Sequence, residues 1–286
     1  MDPKSQWVII ALCAIVLVSA WWLFVRPRWR SRWLETQPFP AEWESIVQTW
    51  LPCYRRMPED VKETLRNQIK HFLANKNFVG CAGLEVTDTM RVAIAAQACL
   101  LILNRPGDYY GDLRWIMVYP NEFVVNHNRP DEFGVVSDSR HVLAGESWSD
   151  GRIILSWASI EQSVADFSDG FNVVFHEFAH QLDHQSGATN GAPLLKSAAD
   201  YQQWAAVFSE EFDRLRSVAQ TAHLPPGTTG RGKDEVLDFY GASNPAEFFA
   251  VATESFFEQS TALAHRHPEL YHQLQKYYGI DPRQWE

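Results

Sequence analysis

The sequence predicts an α+β fold, and three observations carry that prediction. Apolar residues recur at the helical period through much of the chain. Between about residues 113 and 157 that period gives way to short β-rich runs bounded by Pro, Asn, Asp and Gly. The chain is also long enough to bury a substantial core: 286 residues, 46% hydrophobic and 21% charged, suit one large domain or two small ones.

The elements follow in order. Trp7–Val25 carries no charge and, at about 19 residues, is long enough to cross a bilayer. Val18-Ser-Ala20 resembles a signal-peptide cleavage site. The apolar run continues past it through Trp21–Val25, however, and Trp7, Trp21 and Trp22 suit interfacial anchoring, so an uncleaved anchor is expected. Arg26, Arg28, Arg30 and Arg32 follow the span, while only Lys4 and the terminal amine precede it. That asymmetry orients the body toward the cytoplasm.

Residues 26–40 form a juxtamembrane linker rich in Arg, Trp and Pro. Trp43, Ile46, Val47 and Trp50 then mark a short helix ended by Pro52. Pro58 opens another, with Val61, Leu65, Ile69, Phe72 and Leu73 as its buried stripe. Residues 75–83 read as a loop, and Thr87 or Asp88 caps an alanine-rich helix through Leu103. The β-rich runs 115–119, 123–125, 134–136 and 152–157 predict a small sheet, with Arg152–Trp157 as the edge that pairs with an extended substrate.

Next comes Phe171–Asp183, whose Phe171, Val174, Phe175, Phe178 and Leu182 form an apolar stripe. Ser168 or Asp169 can cap its start, and Gly187 sits where the chain leaves it. A long helix over 198–218, a Pro/Gly-rich loop over 223–232 and helices within 239–257 and 268–278 complete the chain.

The stretch that carries chemistry is His-Glu-Phe-Ala-His, His176 to His180. On a helix the two imidazoles lie one turn apart and can share one metal ion, while Glu177 can reach a water on that ion as general base. The alternative is a pair of buried structural histidines, and the amphipathic helix around the motif favours the metal. A catalytic zinc needs a third protein ligand. His184 continues the same face but lies about 12 Å along the axis from His176, too far for one ion. Glu247 and Glu254 are the donors that remain, two turns apart on one face of an apolar helix. Asn244 and Pro245 look like its cap and first residue, so Glu247 can equally be a capping-box carboxylate. Spacing alone leaves the two glutamates open. Asp183 has two readings as well, one orienting a ligand or an active-site loop and the other capping the loop that follows.

These stretches resemble the Mlc titration factor A family of zinc peptidases, whose catalytic core is similar to the protease domain of anthrax lethal factor. The resemblance rests on His-Glu-Phe-Ala-His-Gln-Leu-Asp at 176–183, on Tyr240 and on the Asn244-Pro-Ala-Glu247 helix start. Leu51-Pro-Cys-Tyr-Arg-Arg, the run 86–100 and Gly145-Glu-Ser-Trp look like the same family, so it covers the chain from about Pro40 onward. It implies that His176, His180 and Glu247 hold Zn2+, that Glu177 is the base and that Tyr240 donates to the developing oxyanion. It also implies a zincin-like metallopeptidase fold, aminopeptidase-like activity on a peptide or protein substrate, and contact with a transcriptional repressor of sugar uptake.

The expected layout is an anchor over 1–25, the linker over 26–40 and a zinc metallopeptidase domain over 41–286. The chain is expected in the inner (plasma) membrane of a bacterium, single-pass, with the catalytic domain cytoplasmic. A second function remains open: a membrane-tethered regulator that sequesters such a repressor, with weak or vestigial catalysis. Direct nucleic-acid binding is not expected. The net charge is −10 and the first 32 residues are basic, so the body is more acidic still. The four cysteines form no Cys-x-x-Cys pair and point to neither a disulfide framework nor a thiolate metal site.

Overall fold

A computed structural model describes residues 3–105, 110–127, 139–143, 145–148, 151–225, 227–232 and 235–286. The chain divides into two units, Met1–Pro40 and Ala41–Glu286.

The first unit is helical. Helix α1 (Pro3–Ala20) runs into a π-helical turn at Trp21–Val25, and α2 covers Arg26–Thr36, so most of the stretch read as a linker is helix. Leu12, Ile15, Val16, Leu17, Val18, Trp21 and Trp22 are exposed. Among the described residues no helix is long and apolar enough to cross a membrane. The predicted transmembrane helix over residues 7–25 therefore finds no support in the structure. Its charge-free run is divided: α1 begins with polar residues and ends at Ala20, and Trp21 and Trp22 fall in the π-helical turn.

The second unit is a helix-rich α+β domain. Its elements are α3 (Ala41–Trp50), α4 (Glu59–Asn75), β1 (Asn77–Gly80), α5 (Asp88–Leu101), β2 (Trp115–Tyr119), β3 (Phe123–His127), β4 (Ser139–Leu143), β5 (Gly145–Trp148) and β6 (Arg152–Ser156). Then come α6 (Trp157–Ala165), α7 (Val173–His184), α8 (Ala198–Thr221), α9 (Pro245–Glu258), α10 (Ser260–Arg266) and α11 (Pro268–Tyr278).

Helix α5 is the centre of the core. Thr87 caps it by accepting from the Met90 amide at 3.3 Å, and every residue from Val92 to Leu101 is buried. Its alanines let α3, α4 and α7 approach closely on different sides. Aromatic rings then tie α7 into place: Phe178 packs on Phe72 of α4 and on Tyr110, and Phe175 lies 5.1 Å from Phe257 of α9.

The main sheet has the order β1-β2-β6-β5. Strands β1, β2 and β6 are parallel, and β5 runs antiparallel to β6. Ile116 pairs with Ile153 and Val118 with Leu155, and all four are buried, which fixes the register. Strands β3 and β4 form a separate hairpin. The run 134–136 lies outside the described residues.

Three expectations need correction here. Residues 75–83 are not all loop, because Asn77–Gly80 is the parallel edge strand β1. Four residues between two helices are too short to show an alternation, and their partner β2 is remote in sequence. The stretch from Arg152 is not an edge: β6 is bonded to β2 on one side and β5 on the other. It also stops at Ser156, whose hydroxyl caps α6, a helix the sequence reading missed. Among the described residues the edge strand next to α7 is β5.

Candidate metal centre

Helix α7 starts at Val173, capped by Asn172, whose Oδ1 accepts from the Phe175 amide at 3.0 Å. Ser168 and Asp169, the expected caps, instead shape the preceding turn: Asp169 accepts from the Phe171 amide, and Phe171 is left outside the helix and exposed. Within α7, His176 and His180 fall on one face, with Nε2 atoms 3.2 Å apart. Glu247, in the first turn of α9, brings Oε2 to 2.9 Å from His176 Nε2 and 3.3 Å from His180 Nε2. Asn244 caps α9 by accepting from the Ala246 and Glu247 amides, so the cap needs only the Glu247 backbone and leaves its carboxylate free for the histidines.

These three donor atoms fit a metal ion. Ligands about 2.0–2.1 Å from a tetrahedral ion lie roughly 3.3 Å from one another, and the three pairs here span 2.9 to 3.3 Å. Two imidazole nitrogens and a carboxylate oxygen are a borderline-soft set that suits zinc, and among the described residues this is the one group of its kind. The side chains are 15%, 13% and 19% exposed, buried enough to be rigid and open enough to admit a substrate.

The surrounding groups set the protonation. Glu254 lies two turns beyond Glu247 and places Oε1 at 2.7 Å from His176 Nδ1, so that Nδ1–H can donate to it while Nε2 faces the other ligands. Burial alone would lower the His176 imidazole, but Glu254 and Glu247 outweigh it and hold the ring well above its usual range. Burial alone would raise Glu247, but His176 and His180 bring it well below the carboxylate range. Burial raises the Tyr240 phenol, and the carboxylates of Glu247, Glu177 and Glu254 raise it further, so it stays a proton donor at neutral pH. Tyr240 sits in a 3₁₀ turn, Phe239–Ala242, and its ring centroid is 5.9 Å from that of His176. Glu177 is buried beside His176 and close enough to act on the Tyr240 phenol.

The structure thus brings His176, His180 and Glu247 together, with the Tyr240 ring beside His176 and the Glu177 charge acting on the Tyr240 phenol. His184 stays apart, near Thr189 at the helix end. Asp183 takes the loop role: its Oδ2 accepts from the Gly191 amide at 2.7 Å. Gly191 has φ +79°, a Cβ there would lie 2.3 Å from the Pro245 carbonyl oxygen, and its own carbonyl accepts from the Trp204 indole. That loop therefore presses on the first turn of α9, where Glu247 sits. Sequence reasoning missed Asn172 and Glu258, whose roles depend on contacts 82 and 86 residues away and leave no local signal.

A helix-rich domain with a small, mainly parallel sheet and a His–His–Glu cluster defines a metallopeptidase domain. The chain belongs to the family described as glucose-regulated metallo-peptidase M90, whose model matches residues 25–279. It is 30% identical to Mlc titration factor A of Cronobacter sakazakii over 253 residues, covering 85% of this chain and 87% of that one. It is likewise 30% identical to Mlc titration factor A of Yersinia pestis over 251 residues, 86% of this chain and 88% of that one. An uncharacterized protein of Synechocystis is 42% identical over 255 residues, 89% of each chain. The resemblance to the Mlc titration factor A family read from the motifs is borne out.

Proposed function

We propose that this chain is a zinc-dependent peptidase, aminopeptidase-like, that hydrolyses peptide bonds of a peptide or protein substrate. The carrying observation is the convergence of His176 Nε2, His180 Nε2 and Glu247 Oε2 at the spacing one ion needs, with the Tyr240 ring beside His176. When bound, zinc supplies Lewis acidity toward a carbonyl oxygen and toward water. Glu177 takes the proton of the attacking water on its carboxylate and passes it to the departing amine. Tyr240 donates its phenolic hydrogen to the carbonyl oxygen as negative charge develops there. Strand β5, the edge next to α7 among the described residues, is the place proposed for the extended substrate backbone to pair.

A second reading is favoured by the relatives' name, which speaks of titrating Mlc. On this reading the chain sequesters a transcriptional repressor. The buried Glu177 beside a protonated tyrosine favours the enzyme, because sequestration needs neither group. The exposed apolar residues and tryptophans of the first unit support tethering at the plasma membrane, and Arg26, Arg28, Arg30 and Arg32 after them support a cytoplasmic catalytic domain.

The test is metal content with turnover. The purified chain is expected to hold about one zinc, and Glu177→Gln is expected to keep it while losing peptide hydrolysis. A folded, zinc-free preparation that added metal cannot activate, or unchanged turnover in Glu177→Gln, overturns the reading.

A further inference from the structure

The structure assigns Glu258 a positioning role for the metal ligand His176, exerted through Asn172 and Glu254. The inference rests on the zinc reading above and deepens it by naming what holds the ligand's own partner.

Helix α9 carries three glutamates at i, i+7 and i+11, namely Glu247, Glu254 and Glu258, and these positions share one helical face. That face meets α7, and the partners run in opposite directions: Glu247 meets His180 and His176, Glu254 meets His176 and Asn172, and Glu258 meets Asn172. The two helices are therefore antiparallel, with one carboxylate per step. Glu247 reaches ring Nε2 atoms and Glu254 reaches Nδ1, and each has its place at the metal. Glu258 is as buried as Glu254, 3% exposed, and bonds to Asn172.

Asn172 is where the chain of bonds is decided. It is fully buried, and its polar groups all point at the metal helix or its supports. Its backbone N–H donates to Glu254 Oε2 at 2.6 Å, and its backbone carbonyl accepts from the His176 amide at 2.9 Å. Its Oδ1 accepts from the Phe175 amide at 3.0 Å, and its Nδ2 donates to Glu258 Oε1 at 3.0 Å. An asparagine amide has one acceptor and one donor end, and a flip exchanges them. With Glu258 accepting at one end, only one orientation leaves Oδ1 facing the Phe175 amide. Glu258 thus fixes the cap, the cap fixes the Asn172 backbone, and that backbone holds the carboxylate that orients His176. Partners of this kind set the tautomer and direction of a ligand histidine.

The other oxygen of Glu258 has no protein partner among the described residues. Glu258 lines a cavity of about 40 Å³ with Arg56, Phe167, Trp285 and Glu286. Burial pushes the Glu258 carboxyl well above its usual range, against the opposing bond from Asn172. Glutamine keeps a side-chain oxygen at this position and can still accept from Asn172.

The experiment measures zinc affinity of the full chain by chelator competition, the visible spectrum of its Co2+ form, and the unfolding of the metal-free protein. It compares wild type with Glu258→Gln, Glu258→Leu, Asn172→Ser and Ser163→Ala. Serine caps a helix as well as asparagine does but offers no second donor to Glu258. Ser163 accepts from the Val173 amide in the same first turn without touching Glu254, so its loss reports stability alone. The expected result is wild-type affinity and spectrum in Glu258→Gln. Glu258→Leu and Asn172→Ser should each lose roughly 10–100-fold in zinc affinity, with an altered Co2+ spectrum. Their double variant should lose little more than either alone, as for two members of one chain. Ser163→Ala should lower stability with zinc affinity unchanged.

Wild-type affinity in Glu258→Leu overturns the assignment, and so does affinity that falls only in step with stability across all variants. If Glu258→Leu does not fold, Asn172→Ser decides by the same criterion. A wild type that binds no zinc fails the zinc reading itself, which this comparison separates from failure of the Glu258 role.

Discussion

At the scale of the residue, Glu247 and Glu254 occupy one face of α9 and meet opposite nitrogens of the same imidazole. Glu247→Ala should leave two histidines and lose zinc and turnover together, while the Asn244 cap stays in place because it uses only the Glu247 backbone. Glu254→Gln should retain zinc and lose roughly 10–100-fold in affinity or activity. Zinc titration of the two variants decides: retention in Glu247→Ala with loss in Glu254→Gln reverses their roles. His176, Glu177 and His180 were legible in the sequence because their geometry is local, set by the pitch of one helix. The choice between the glutamates was not, since both lie at helical spacing. Only the packing of α9 on α7 shows which one reaches the Nε2 atoms.

At the scale of the element, helices with long stripes were readable and the sheet was only partly so. The stripe Leu65, Ile69, Phe72 is buried in α4 as its period predicts. Strand β1 is four residues long, and the position of β6 inside the sheet depends on parallel pairing with a strand far away in sequence. Neither fact has a local signature. The C-terminal helices hide a similar long-range feature. His267, between α10 and α11, places Nδ1 2.8 Å from Glu211 of α8 and Nε2 3.2 Å from Glu235, and Arg214 bridges the same two carboxylates. Burial alone would lower His267, but Glu211 and Glu235 raise it. Burial alone would raise Glu235, but His267 and Arg214 bring it down to about 2. The signs follow. A raised histidine stabilises fully below its unfolded value near 6.5 and loses that contribution as pH rises through its folded value. A lowered glutamate stabilises above its unfolded value of about 4.3 and loses that contribution as pH falls toward its folded value. The cluster should therefore stabilise most between about pH 4.3 and 6.5. Urea unfolding of His267→Gln against wild type should show the largest gap in that window and a shrinking gap above it. A gap independent of pH removes His267 from the account.

At the scale of the whole molecule, charge and apolarity are divided along the chain. The first 32 residues hold four of its arginines, Arg26, Arg28, Arg30 and Arg32, while the chain as a whole carries −10. Trp7, Trp21 and Trp22 are 72%, 48% and 52% exposed, and Arg26 lies over the Trp22 ring at 4.1 Å. Tryptophan and arginine so placed suit a membrane–water boundary, where the ring meets the acyl region and the guanidinium meets phosphate. An acidic body gains nothing from an anionic lipid surface, so the proposed attachment would rest on the apolar stretch of the first unit together with these arginines. The body has its own core, centred on α5 within Ala41–Glu286. Full-length chain should therefore sediment with membranes and resist extraction by high salt, whereas residues 41–286 should stay in the supernatant. Because the arginines follow the apolar stretch, a reporter fused after Glu286 should read as cytoplasmic. Recovery of the full chain in the soluble fraction removes the tether. Sedimentation with an external reporter signal keeps the tether and reverses the orientation.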